Sequence, residues 1–213
     1  MSERRTLVFQ GDSITDAGRD REYDGNLGNG YVNMVAGALL YEFASDPLDI
    51  RNRGISGNRT RDLLNRWRGD CIDLKPDFLS LYIGVNNTWR RYDRDDPTPA
   101  DVFRRELHDL LDQSFDQTPA TPAATVLLEP FVLDAPAGTK AHWHEDLDPK
   151  REIVRHAAET YGTRFIPLQR LFHDALKRAP SDYWAPDGIH PSPAGHALIA
   201  RAWLDTMRPV IYT

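Results

Sequence analysis

With 213 residues, 40% hydrophobic and 27% charged, the chain has an ordinary globular composition and enough length to bury a core without staples. A net charge of -6 gives no nucleic-acid footprint, and the arginines (RWRGD, WRRYDRDD, FRRELHD) are spread among acids as on a solvated, mixed-charge face. One cysteine, Cys71, excludes an intrachain disulfide and thiolate-built metal sites, and no stretch approaches the roughly 20 apolar residues that span a bilayer.

The start, MSERRTLVFQGDS, carries two arginines, but its short apolar run leads into a polar motif rather than a small-residue cleavage site. No signal peptide is read, and a cytoplasmic protein of one domain, residues 1–213, is expected. Leu7–Gln10 is a short buried strand ending in a turn. Gly30–Ala44 reads as a helix, Asp49–Ile55 as a second strand, and Arg59–Asp70 as a helix with Leu63, Leu64 and Trp67 on one side. Phe78–Ile83 is a stronger strand, bounded by Gly84. Thr98-Pro99-Ala100-Asp101 is a helix start, and Phe103, Leu107, Leu110 and Leu111 behind it form a core-facing stripe.

Thr125–Leu133 is the fourth strand, with Pro130 marking its end. Asp148-Pro149 opens a helix that Gly162 closes, Arg164–Leu168 is the fifth strand, and Ser192-Pro193 caps the last helix. Five strands alternating with helices predict a parallel sheet in a three-layer α/β/α sandwich. Ligands in such sheets gather beyond the carboxyl ends of the strands. Ser13, Gly57 and Asn86 follow strands one, two and three and fall at that edge.

A serine in Gly11-Asp12-Ser13, just past a strand, sits on a tight turn with its hydroxyl exposed and its amide free to face a cleft. Alone the tripeptide reads equally as a serine turn. A serine nucleophile needs a base. Of seven histidines, His190 stands out in Asp187-Gly188-Ile189-His190-Pro191, where an aspartate three residues ahead can fold back to accept the imidazole Nδ1 proton. His142 and His144 flank Trp143, and nothing nearby completes a metal site around them. The donors an oxyanion requires are available as the Gly57 amide in RGISGN and the Asn86 side chain in GVNN. Each alone also reads as a turn or a cap.

The motifs GDSIT, RGISGN, IGVNN and DGIHPS occur in that order, and in them the chain resembles the SGNH/GDSL hydrolase family, whose name letters fall here on Ser13, Gly57, Asn86 and His190. The resemblance spans nearly the whole chain. It implies a flavodoxin-like sandwich, no cofactor, a Ser13–His190–Asp187 triad, and an oxyanion hole of the Ser13 and Gly57 amides with the Asn86 side chain. Asn87 stands where the family usually has Asp, which implies a modest local effect. In GDSITDAGR, LGNGYV, RGISGNRTRDL, IGVNNTWRRYD and HPSPAGHALIARAWL the chain is most similar to the family's intracellular acetyl-xylooligosaccharide esterases.

That similarity implies removal of acetyl groups from an acetylated sugar, with no metal, nucleic acid or membrane involved. Asp12, Trp89 and Trp184 are the candidates for contacting substrate, since aromatic faces suit sugar rings. His196 is expected to buttress the last helix. A homo-oligomer, with Arg90, Arg91 and Asp93 at a subunit contact, is likewise implied by resemblance only. The alternatives are a general short-chain esterase, thioesterase or lysophospholipase of the same family, a catalytically dead sugar-binding module, and a flavodoxin-like nucleotide binder. The last is disfavoured because no glycine-rich phosphate cradle occurs.

Overall fold

The computed structural model describes residues 4–212. Its strands are β1 (Thr6–Gly11), β2 (Asp49–Asn52), β3 (Phe78–Tyr82), β4 (Thr125–Leu128) and β5 (Arg164–Ile166), all parallel, in the order β2-β1-β3-β4-β5. Between and after them run α1 (Ser13–Asp16), α2 (Tyr31–Glu42), α3 (Thr60–Asp70), α4 (Val85–Asp93), α5 (Ala100–Gln117), α6 (His144–Tyr161), α7 (Leu168–Ala175), α8 (Ser181–Trp184) and α9 (Pro193–Ile211). Among the described residues no helix is long and apolar enough to cross a membrane.

The three-layer sandwich expected from the alternation is the fold. β3 and β4 are buried along their whole length because helices cover both faces of a parallel sheet. Successive side chains alternate between two cores. Leu7, Phe9, Val126 and Leu128 pack with Val35, Leu39, Trp203 and Met207 under α2 and α9. Val8, Leu79, Leu81 and Leu127 pack with Leu63, Trp67, Phe103, Leu107 and Ala157 under α3, α5 and α6. The serine in β3, Ser80, accepts the Trp203 indole N–H at 3.0 Å, so its own burial is satisfied.

Several boundaries move for local reasons. β2 ends at Asn52, because the chain turns there: the Asn52 side chain accepts from Gly54 N at 2.9 Å and donates to the carbonyls of Thr15 and Leu27. β4 stops before Pro130, and Val132 and Leu133 take their amide acceptors from Gln169 Oε1 and Gly188 O instead of a strand. α6 begins at His144 rather than Asp148, with Pro149 inside it; Arg91 pairs with Glu145 and Asp146 and holds the extra turn. At α9 the sequence expectation holds in detail: Ser192 accepts from Gly195 N at 3.2 Å and Pro193 opens the helix.

The strand order reverses direction between β1 and β3, and at such a switch the loops after the strands splay apart to leave a crevice. The segments carrying Ser13, Gly57 and Asn86 leave the sheet at this place.

Candidate active site

Ser13 is the first residue of α1, a single turn that starts directly at the end of β1. Asp12 precedes it as N-cap and accepts the Ile14 amide at 3.1 Å. Gly11 allows the sharp turn: a Cβ there would lie 2.3 Å from Thr15 Oγ1 and 2.5 Å from Tyr82 O. Ser13 is thereby the partly exposed residue between buried Asp12 and Ile14.

His190 arrives from the far end of the chain. Its Nε2 lies 3.0 Å from Ser13 Oγ, and its Nδ1 lies 2.6 Å from Asp187 Oδ2. The other Asp187 oxygen accepts the backbone amides of Ile189 and His190 at 2.9 and 2.7 Å, which fixes the carboxylate. Gly188 permits this loop with φ +83, and a Cβ there would stand 2.1 Å from Leu133 O. Burial pushes the Asp187 carboxyl up, but the hydrogen bonds from the His190 ring and the two amides outweigh it and hold the group well below the usual range. The bond to Asp187 raises the His190 pKa against the opposing effect of burial.

The expected oxyanion donors sit on the segments that follow three strands: Ser13 opens α1 after β1, Gly57 lies in the turn after β2, and Asn86 is in the first turn of α4 after β3. The amides of Ser13 and Gly57 have no acceptor among the described residues, and Gly57 adopts φ +84. Asn86 is 2% exposed; its Nδ2 donates one hydrogen to Asn58 O at 3.1 Å, which leaves the second. Arg66 fixes that acceptor segment, donating to Asn58 Oδ1 at 2.8 Å.

Asn87, at the departure from the family pattern, is fully buried on the other side of α4. Its Nδ2 donates to the hydroxyls of Thr60 (2.9 Å) and Thr98 (3.3 Å), and its Oδ1 accepts from Thr60 N at 3.3 Å. Thr60 Oγ1 spends its own proton on Glu106. An amide is the group that completes this arrangement, because it supplies the donor the hydroxyl lacks.

Of the three candidates for substrate contact, Trp89 is half-buried with its ring 5.7 Å from the His190 ring. It leans on Trp143 at 5.5 Å, which in turn stacks with Tyr92 at 5.4 Å. In the sequence Trp143 is marked only as the residue between two histidines. Its role in this aromatic wall had no local signal, because it comes from a different crossover.

Trp184 does not line the crevice. It is 5% exposed in the α2/α9 core and donates its indole N–H to Ala179 O at 3.2 Å. Asp12 is 1% exposed and faces inward, and its burial pushes its carboxyl up to about 7. Both therefore support the loop from behind, since neither surface is open to a ligand.

Two further histidines have defined partners. His144 pairs with Asp148, and among the described residues no group of three His, Cys, Asp or Glu could hold a metal. His196 on α9 does more than buttress its own helix: its Nδ1 accepts the Tyr31 amide at 3.1 Å and so caps α2. Arg90 and Arg91, expected at a subunit contact, are engaged within the chain, Arg90 with Asp93 and Arg91 with Glu145 and Asp146. Cys71 is buried and its thiol is pushed up to about 12 by burial, so it is chemically quiet.

A polar crevice with an activatable serine, an acid-fixed imidazole and free amide donors is the arrangement of a serine acyl hydrolase. Residues 9–198 match the GDSL-like Lipase/Acylhydrolase family. The chain belongs to that family.

Across 202 residues, 93% of this chain and 91% of the relative, it is 36% identical to an acetylxylan esterase of Geobacillus stearothermophilus. A solved structure of the acetylxylan esterase from that organism superposes with a TM-score of 0.84 at 34% identity, covering 94% of this chain and 93% of its own. A GDSL-like lipase candidate from Parabacteroides merdae superposes with a TM-score of 0.91 at 38% identity, covering 97% and 96%.

Proposed function

We propose that this protein is a serine esterase that removes acetyl groups from carbohydrate esters, xylo-oligosaccharides among them. The observation that carries the reading is the chain of hydrogen bonds from Ser13 through His190 to Asp187, with 3.0 and 2.6 Å links, in a chain 36% identical to an acetylxylan esterase. Solved structures of that esterase include catalytic mutants in which a serine, an aspartate and a histidine are each replaced by alanine, the same three residue types. In this reading residues 1–213 act as one hydrolase domain, since all the site residues hang from one sheet.

In the proposed mechanism His190 Nε2 takes the Ser13 Oγ proton as the oxygen attacks the ester carbonyl, and Asp187 stabilises the imidazolium that forms. The carbonyl oxygen becomes an oxyanion held by the Ser13 and Gly57 amides and the free Asn86 N–H. The intermediate collapses, the alcohol oxygen leaves with the proton from His190, and acetyl stays on Ser13. Water, deprotonated by His190, attacks the acetyl-enzyme through the same oxyanion. The intermediate collapses with Ser13 Oγ leaving as it takes the proton back from His190, and the acetyl group departs as acetic acid, which ionises to acetate. The partly exposed Trp89 face beside His190 offers a surface for a sugar ring. Asp12 supports the nucleophile turn from beneath.

The test is the release of acetate from acetylated xylo-oligosaccharides, beside hydrolysis of p-nitrophenyl acetate and butyrate. Fast release from the sugar with weak butyrate hydrolysis supports the reading. Activity on the model esters alone leaves an esterase and removes the carbohydrate substrate.

A further inference from the structure

A cavity of about 480 Å³ opens beside Ser13, walled by Asp16, Arg19, Asp20, Arg21 and Ser56. It is far larger than an acetyl methyl requires, and four charged side chains make it unfit for an acyl chain. Such a lining departs from the largely apolar pockets that take most small ligands and suits a molecule covered in hydroxyls.

Arg19 is the unusual member of this wall. It is 8% exposed, and its Nε donates to Gly54 O at 3.0 Å. Its two terminal nitrogens donate to no described residue, and no carboxylate among the described residues lies within the 4.0 Å of an ion pair. Its neighbours differ: Arg21 is paired with Asp16, and Arg51 and Arg53 are paired with Asp24. A donor pair that faces a cavity with no acceptor among the described residues is a feature that ligand oxygens would satisfy.

Its loop is rigidly held. Asp16, itself 4% exposed, accepts the amides of Arg19 at 3.1 Å and Ser56 at 3.0 Å, so the guanidinium is presented from a fixed frame between the first two motifs.

We propose that Arg19 is a substrate-binding residue that recognises the alcohol part of the ester, donating from its free Nη atoms to hydroxyl or ring oxygens of a neutral sugar seated in this cavity. The sugar is neutral because the two arginines and two aspartates of the wall balance in charge, and Asp20 can accept from hydroxyls that Arg19 does not serve. The assignment rests on the carbohydrate-ester reading above and adds the residue that selects the alcohol.

The experiment compares kcat/KM of the wild type, Arg19→Gln and Arg19→Lys on acetylated xylo-oligosaccharides and on p-nitrophenyl acetate, whose alcohol carries no hydroxyl to be read. Loss of a charge-assisted hydrogen bond to the sugar predicts a drop of about 10–100-fold for Arg19→Gln on the sugar ester. Most of it should lie in KM, with less than about a threefold change on the aryl ester. Arg19→Lys keeps the charge and should fall between. It carries the test if the glutamine variant does not fold, through the same split between the two substrates. Equal losses on both esters mean that Arg19 only holds the loop, and no loss on the sugar means it touches no substrate; either overturns the assignment. A wild type that cleaves the aryl ester and ignores the sugar ester removes the carbohydrate reading itself, and this assignment with it.

Discussion

The Asn87 side-chain amide donates to the Thr60 hydroxyl at 2.9 Å while that hydroxyl donates onward to Glu106. The two groups fit because Asn87 brings a donor to an oxygen whose proton is already committed. Asn87→Asp, which restores the residue usual in the family, should therefore destabilise this protein. A carboxylate would face the Thr60 oxygen without a proton between them, in a fully buried site. The expected loss is about 1–3 kcal/mol, measured by urea unfolding. Pairing it with Glu106→Gln should recover part of the loss, because the Thr60 proton is then less strongly claimed. A more stable Asn87→Asp protein would refute the account.

Ser13→Ala should abolish turnover on every ester without changing the melting temperature, since Ser13 is partly exposed and, among the described residues, its side chain hydrogen-bonds to His190 alone. Asp187→Asn should lower kcat by roughly 10³–10⁴ through the wrong imidazole tautomer. Steady-state kinetics together with thermal melts separate these losses from misfolding.

Asn86→Ala should lower kcat by about 10²–10³, the size of one oxyanion donor, with a smaller change in KM. Arg66→Ala should act in the same direction more weakly, because Arg66 anchors the Asn58 segment whose carbonyl orients the Asn86 amide. Equal kcat for wild type and Asn86→Ala would remove Asn86 from the mechanism.

Activity should depend on pH through His190. The base must be neutral, and the bond to Asp187 raises its pKa above the ordinary 6.5. The rate should therefore be low in acid and rise as pH passes a value above 6.5. The Asp12 charge adds to the rise, although burial pushes its own carboxyl up to about 7. Asp12→Asn keeps an acceptor for the Ile14 amide and removes the charge. It should move the acid limb of kcat/KM to lower pH, and an unmoved limb would exclude coupling between the two.

His196 should make the fold acid-sensitive. Burial, aided by the nearby His190 charge, holds its pKa at about 4 in the folded state, below the ordinary 6.5. The unfolded chain then takes up the proton first, so the neutral ring's contribution is complete above pH 6.5 and fades as pH falls from 6.5 towards 4. The span corresponds to at most about 3 kcal/mol. His196→Gln, which still offers an acceptor to Tyr31 N, should flatten the fall in melting temperature between pH 7 and pH 4.5. An unchanged slope would show that the acid sensitivity lies elsewhere.

The alternation of strands and helices, the Ser192 cap of α9, and the glycine-bearing turns around Ser13, Gly57 and His190 were legible in the sequence because each rests on local chemistry. A strand buried on both faces is mostly apolar, and the serine cap of α9 acts within three residues of its first turn. The order of the motifs along the chain puts three of them at one sheet edge without reference to any tertiary contact.

What the tertiary structure decided are relationships between residues far apart in the chain. Ser13 and His190 meet across 177 positions. Trp89 and Trp143 form a wall from separate crossovers, and helix α4 emerges from a segment with weak intrinsic pattern, held by ion pairs to α6. Trp184 looks in sequence like a cleft residue and lies in the core, because α8 turns its indole inward toward Ala179. Nothing in the sequence marks Arg19, which the fold buries with no carboxylate of the described residues at ion-pair distance. Period and capping act over a few residues, whereas burial and pairing depend on which distant surfaces the sheet brings together.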